Sequence, residues 1–313
     1  MELKNIKKLI TNSPLIEISY KFLGRRKKVY AKCEWYSLTG SIKDRVAYQI
    51  ICEAYKNKQL KKYQPIVEVS SGNMGLSLAA IGNLTGNPVT ILIPKSMSEE
   101  RKKLIKLYGA TLIETNNFLE AFELCEKYQS KGYYCPSQFD NISNVTAHTK
   151  FTAREILNHI NNKNVSTFVA GIGTSGTFSG VGKYLKEKLN LQIITIEPSN
   201  ARIISNIRPF EKHALQGLSD EKLPSLYDNS ICDKILQITD HDAIAMSRKL
   251  CQELSLGVGI SSGANFLGCV LSGTNAITIF PDDNKKYLST NLTNTISTPL
   301  VETIELISVR VVS

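Results

Sequence analysis

No stretch of this 313-residue chain approaches the roughly eighteen consecutive apolar residues a membrane helix needs, which argues against a membrane protein. The charged start MELKNIKKLI lacks an apolar segment followed by a small-residue cleavage site, so no secretory signal is expected and a cytoplasmic location is. None of the seven cysteines (Cys33, Cys52, Cys125, Cys135, Cys232, Cys251, Cys269) belongs to a C-x-x-C pair, and their number is odd. That pattern speaks against a structural metal site and a disulfide framework; it fits small core residues in a reduced compartment. Internal repeats and low-complexity tracts are also missing, and NNKN at 161–164 reads as a short polar loop. Positive charge is present but not concentrated. The formal +10 is spread in short clusters such as GRRKK at 24–28, which disfavours nucleic acid and suits a small anionic substrate or cofactor, or plain solubility.

What is there is an ordinary globular composition, 42% hydrophobic and 21% charged, on a chain long enough for two domains. Short β-branched runs (PIVEVS, PVTILIP, TFVAGI, QIITIEP, AITIFP) read as strands, and the longer segments between them have helical spacing: GLSLAAIGNLTG, SEERKKLIKLYG, FLEAFELCEKYQSKG and TKFTAREILNHI. The alternation predicts an α/β protein with parallel sheets, split near residues 140–150 into two sheet groups with a cleft between them. Ligands of such sheets bind beyond the C-terminal ends of strands, where VSSGNMG and GIGTSGT both lie.

GIGTSGTFSG at 171–180 fits two ligands. Gly171, Gly173 and Gly176 have the G-x-G-x-x-G spacing of a dinucleotide loop, and Glu197 stands where a ribose-binding acid would. Equally, small residues opening a helix bind any phosphate, and the hydroxyls of GTSGT add donors. Two other turns bear on the choice. In TGSIKDR, Lys43 follows the polar turn Thr39, Gly40 and Ser41 ahead of a helix, a setting for a lysine that must be reached and must lose its proton. In SSGNMG at 70–75, two hydroxyls, an amide and two glycines between strand and helix point small donors at a carboxylate. A dehydrogenase explains only the glycine loop.

In order and approximate spacing, SLTGSIKDRVAYQI (37–50), EVSSGNMGLSLAA (68–80) and GIGTSGTFSG together resemble the cysteine synthase group of fold type II pyridoxal phosphate (PLP) enzymes, relatives of cystathionine β-synthase and the tryptophan synthase β chain. The resemblance runs from NSPLIEI to PDDNKKYLST. It implies two domains, each a mostly parallel twisted sheet flanked by helices: a smaller, mobile one at 36–145 and a larger, phosphate-binding one from 1–35 plus 146–313. It implies that Lys43 carries PLP and acts as the base, and that Asn73, Gly173, Thr174, Ser175, Gly176, Thr177 and Ser261 hold the cofactor. Ser70, Ser71, Asn73, Gln138 and the backbone around Met74 would hold the α-carboxylate of an amino-acid substrate. Ser261, the first serine of GISSG, would face the pyridine nitrogen. A hydroxyl there does not keep that nitrogen protonated, which weakens the electron sink and steers the chemistry to β-elimination.

The implied reaction is β-replacement on a β-substituted L-serine through an α-aminoacrylate, joining sulfide to O-acetyl-L-serine in a homodimer. The alternatives on the same scaffold are L-cysteine degradation, releasing hydrogen sulfide with serine or pyruvate, and use of another nucleophile, as in cystathionine or diaminopropionate synthesis. From other classes come an NAD-dependent dehydrogenase and an inactive scaffold; the intact lysine and phosphate loop oppose the second. The chain departs from the family pattern at four places. T-S-G-N-T-G reads SSGNMG, T-T-G-P-E-I reads FTAREI, P-D-S-G-x-R-Y reads PDDNKKY, and I-Q-G-I-G becomes LQGLSDEKLP. The last puts Ser219, Asp220 or Glu221 toward the substrate's β-carbon, where Asp220 would activate a nucleophile or accept a hydrogen bond from a substrate thiol. No metal site is expected.

Overall fold

The computed structural model describes residues 3–160, 163–206, 211–218 and 223–312. The five strands expected from β-branched runs are present: β3 (Ile66–Val69), β4 (Val89–Pro94), β6 (Thr167–Gly171), β7 (Gln192–Pro198) and β9 (Ala276–Phe280). Five more join them: β1 (Leu15–Phe22), β2 (Arg25–Cys33), β5 (Thr111–Thr115), β8 (Lys234–Ile238) and β10 (Glu305–Val311). Strands β1 and β2 form an antiparallel hairpin, with Leu15 opposite Lys32 and Phe22 opposite Arg25. Leu23 and Gly24 turn it with φ of 48° and 76°, the positive angles that a two-residue hairpin loop requires. The basic cluster of the sequence is thus the start of a strand whose later residues, Val29 to Cys33, are buried.

Among the described residues ten strands make two sheets. The larger has the order β10-β1-β2-β9-β6-β7-β8, antiparallel at the β10-β1-β2 end and parallel from β2 onward. The smaller, β3-β4-β5, is wholly parallel. Parallel neighbours need crossovers, and the helices Asn73–Thr85 and Glu99–Leu107 provide those of the small sheet. Burial on both faces explains the unbroken apolar runs of β4 and β9, in which every residue is buried. The helix Ile260–Ser272 is buried over eleven residues and packs on β6 and β9, the centre of the large sheet.

One helical stretch is irregular. Ser143–Ala147 is α-helical, His148–Thr152 is π-helical, and Ala153–Ile160 is α-helical again. A π turn adds a residue to the helix and rotates everything after it, and such turns gather at functional sites.

Candidate active site

The lysine turn is built from buried charge. Asp44, next to Lys43, accepts hydrogen bonds from Thr39 N (2.8 Å), Thr39 Oγ1 (2.6 Å) and Ser77 Oγ (2.7 Å). Arg45 is fully buried and forks between Glu34 on one side (Nε to Oε2, 2.6 Å) and Glu155 on the other (Nη1 to Oε1 and Nη2 to Oε2, both 2.8 Å). Lys32 adds a second cation to Glu155 at 2.9 Å. Burial alone would favour neutral side chains, but opposite charges at this range outweigh it: Arg45 is held above its usual range and Glu155 below its own. The residues flanking Lys43, which would mark a surface lysine if solvated, anchor it instead. On the turn's other flank, Ile42 N donates to Pro281 O (2.9 Å), and Ser41 bridges Asp282.

Lys43 opens the helix Lys43–Lys56, and its Nζ donates to Thr174 Oγ1 at 3.3 Å. That contact joins the two loops that the sequence could only align. Thr174 also accepts from Asn144 Nδ2 (2.8 Å), whose second bond is to Gln138 O (2.8 Å). Ser175 sits at φ 68° and caps the fourteen-residue helix Gly176–Leu189, so the loop arrives at a helix N-terminus in a conformation that turns successive N–H groups to one side. Gly176 is required: a Cβ there would stand 1.9 Å from Asn144 Oδ1. His148 Nε2 lies 3.3 Å from Thr177 Oγ1 and its Nδ1 3.1 Å from Thr152 Oγ1. Complete burial, with Lys43 and Arg45 nearby, drives the His148 imidazole well below its ordinary 6.5, so at neutral pH it is an uncharged orienting group.

The 70–75 turn leaves β3 and opens the helix Asn73–Thr85. Ser70 Oγ accepts from Gly72 N and Gly75 N, each at 3.0 Å, which folds the turn on itself. Gly72 has φ 140°, and a Cβ on it would stand 2.3 Å from Arg101 Cδ. Asn73 Nδ2 reaches across to Asp282 Oδ2 (2.7 Å), while its Oδ1 is buried without a partner. Met74 lines the cavity yet belongs to the small sheet's core with Ile91 and Ile105. Gln138 donates from Nε2 to Val69 O (2.9 Å) and from its backbone N to Glu68 Oε2 (3.2 Å). Burial, with Cys135 beside it, pushes the Glu68 carboxyl well above the carboxylate range against the pull of these backbone donors and Lys43.

One cavity draws these pieces together. Lys43, Ser70, Ser71, Asn73, Met74 and Gln138 line it from one side; Gly173, Thr174, Ser175, Gly176, Thr177 and Ser261 line it from the other. Ser261 is buried in the first turn of its helix. Asp282 and Tyr287, which the sequence offered only as part of PDDNKKY, also line it, with Arg101, which the sequence did not single out: the guanidinium lies 4.5 Å over the Tyr287 ring and 3.5 Å from Asp282, and bonds Gln216. Gln216, Gly217 and Leu218 complete the wall. Ser219, Asp220 and Glu221, which follow, lie outside the described residues.

Glu197 is elsewhere. It is fully buried and accepts from Ile204 N (3.1 Å), Ser205 N (3.2 Å), Ser205 Oγ (2.5 Å) and Gln237 Nε2 (3.2 Å). A carboxylate committed to three donors just beyond its strand and one on β8 does not bind a ribose, so the dinucleotide reading loses its acid.

A phosphorylated aldehyde cofactor fits what remains. The helix-terminal loop suits a dianion, the lysine amine stands beside that loop, and the orphaned Asn73 Oδ1 is a polar atom in want of a partner. Among the described residues no group of three or more His, Cys, Asp and Glu side chains is arranged to hold a metal ion, and no helix is long and apolar enough to cross a membrane.

Comparison with known proteins agrees with this chemistry. The family model "Pyridoxal-phosphate dependent enzyme" matches residues 6–281. Cysteine synthase B of Campylobacter jejuni is 38% identical over 300 residues, covering 92% of this chain and 98% of the relative. Among solved structures, a hydrogen sulfide-producing enzyme from Fusobacterium nucleatum superposes with a TM-score of 0.94 at 39% identity, over 99% of this chain and 98% of its own. O-acetyl serine sulfhydrylase isoform 3 from Entamoeba histolytica gives 0.85 at 31%, over 96% and 94%. With a match that takes in most of both sheets, and relatives alike nearly end to end, the chain belongs to the pyridoxal-phosphate dependent enzymes.

Proposed function

We propose that this enzyme catalyses a cysteine synthase-like β-replacement, joining sulfide to O-acetyl-L-serine to give L-cysteine. The observation that carries the reading is the meeting of the Lys43 amine with the Thr174 hydroxyl at the mouth of the phosphate-type loop, in one cavity with the 70–75 turn. In this reading Gly173, Thr174, Ser175, Gly176 and Thr177 hold the cofactor phosphate, Ser261 meets the ring nitrogen, and Asn73 the ring oxygen. Bound PLP supplies a sink for the electrons released at the substrate's Cα. Ser70, Ser71, Gln138 and the backbone at Asn73 and Met74 orient the α-carboxylate. Lys43 takes the Cα proton and later returns it. Asp220 receives the role of base or hydrogen-bond acceptor at the β-substituent, tested by Asp220→Asn: unchanged turnover removes it.

The segment 36–145 acts as the mobile part that closes over the amino acid, and 1–35 with 146–313 as the fixed part. The enzyme works as a cytoplasmic homodimer.

A second reading has its own support: the same scaffold run on L-cysteine to release hydrogen sulfide. The Fusobacterium enzyme named for that activity superposes more closely than the Entamoeba sulfhydrylase, 0.94 against 0.85. One experiment separates them. The yellow holoenzyme is given L-cysteine alone, then O-acetyl-L-serine with sulfide, with sulfide followed colorimetrically and amino acids by NMR. Cysteine formed from O-acetylserine while cysteine alone is inert supports the synthase; sulfide with serine or pyruvate from cysteine alone supports degradation.

A further inference from the structure

Two cysteines that the reaction does not use stand together behind the carboxylate turn. Cys125, on the helix Phe118–Gln129, and Cys135, on the strand-like exit from it, have their sulfurs 3.4 Å apart. Ser137 Oγ donates to Cys135 Sγ at 3.4 Å. A small cavity beside them is lined by Glu68 and Val69 on the inner side and by the exposed Phe122, Glu126, Gln129 and Asp140 on the outer, so a small solute reaches the sulfurs from the surface. The two thiols are not equivalent. Hydrogen bonds from Cys125 and Ser137 bring the Cys135 thiol down to about 7, while Cys125, the donor of one of them, is pushed up.

We propose that Cys125 and Cys135 form a reversible dithiol–disulfide site, oxidised by a hydroperoxide, that alters the substrate-carboxylate turn through Gln138. In the first step the Cys135 thiolate attacks the peroxide: an S–O bond forms, the O–O bond breaks, and hydroxide (or alkoxide) leaves and takes a proton. In the second the Cys125 sulfur displaces the sulfenic hydroxyl, an S–S bond forms, and the Cys125 proton departs with it as water. Two thiols lose two electrons to one hydroperoxide.

The consequence for the site is geometric. A disulfide holds its sulfurs at about 2.05 Å, so they must close by more than 1 Å. Cys135 is three residues from Gln138, and Ser137 between them already sits at φ 52°, leaving that link little slack. Gln138 is bonded to both ends of the Glu68–Val69 pair, directly before Ser70, so tension at Cys135 is delivered to the turn. The chemistry at sulfur does not depend on the function proposed above; the kinetic effect rests on it.

The test uses the full-length holoenzyme and hydrogen peroxide at one equivalent. Thiol titration should fall from seven to five, peptide mapping should link the Cys125 and Cys135 peptides, and dithiothreitol should restore both. Oxidation should raise KM for the amino-acid substrate about threefold or more with a smaller change in kcat, since binding geometry rather than the base is disturbed. In Cys125→Ser the reaction should stop at a sulfenic acid on Cys135, trapped by dimedone; in Cys135→Ser, Cys125 should stay reduced. Loss of other thiols first, or a dimedone adduct on Cys125 instead, overturns the site. A clean Cys125–Cys135 link with KM unchanged overturns the coupling to Gln138.

Discussion

The two turns that face the cavity solve the same problem differently. Both follow a parallel strand, open a helix and are rich in Gly and Ser, yet apart from the Lys43 amine on Thr174 the side-chain bonds of the 173–177 turn run to residues near it in the chain, whereas the Asn73 amide of the 70–75 turn reaches a residue far along it. Thr174 is held by Asn144, Thr177 by His148 and Ser175 by Ser179, all within 30 residues of chain. Asn73 is held by Asp282, 209 residues away, and Gly72 leans on Arg101, which itself reaches Asp282. We expect the first arrangement to suit a ligand that stays and the second one that comes and goes.

The largest effect expected is outside both turns. Lys43→Ala should lower kcat about 10³-fold or more, the scale of a lost base, with the far-ultraviolet circular dichroism unchanged. Next is the frame under the lysine. Glu155→Gln leaves Arg45 and Lys32 short of a carboxylate in a buried site, and urea unfolding should show a loss of about 3 kcal/mol or more.

The comparison itself is tested by paired glycines. Gly176→Ala drives a methyl into Asn144, at a cost of roughly 1–3 kcal/mol; cofactor affinity, measured by PLP titration of the apoenzyme, should fall while KM for the amino acid of the reloaded enzyme moves little. Gly72→Ala, costing a similar ~1–3 kcal/mol at a φ of 140°, should do the reverse: KM rises and PLP affinity stays. If both variants lose the cofactor equally, the division of labour between the turns is wrong.

The smallest effect is pH-dependent. His148 stays neutral in the fold while the unfolded chain takes up a proton below its ordinary 6.5, so stability falls as pH drops through that value. Glu68, whose carboxyl burial pushes well above its ordinary 4.5, works in the opposite direction as pH rises above that value. The difference between wild type and His148→Gln isolates the first term: the stability gap should shift by about 1 kcal/mol in favour of the variant from pH 6.5 to 5.5 in urea unfolding.

Much of this was legible in the sequence. Strands β3, β4, β6, β7 and β9 are buried on both faces and announce themselves as apolar runs; Lys43, SSGNMG and GTSGT are contiguous motifs. The β1–β2 hairpin was not read, because its alternation of charged and apolar residues passes for a basic surface cluster until β9 covers one end. Arg101, Asn144 and His148 were missed, and Asp282 was read only within PDDNKKY, for another reason. Each gains its meaning from a contact distant in the chain, and no local pattern marks an arginine that will stack on Tyr287. Gln138 was singled out, but Asn144 and His148, a few residues on, needed the helix they ride on.

That helix carries one residue more than a regular spiral would. Its π turn at His148–Thr152 lets Asn144 and His148 look toward the 173–177 loop while Glu155, seven residues beyond His148, looks toward Arg45. Deleting a single residue from 148–152 would restore an even spiral and swing everything beyond it by about 100°. The protein would keep its composition and nearly all its hydrogen-bonding groups, yet lose either the face that holds the 173–177 loop or the buried counter-charge. The extra residue is a phase setting, and any alignment or redesign that treats it as an interchangeable gap will put the right side chains on the wrong side of the molecule.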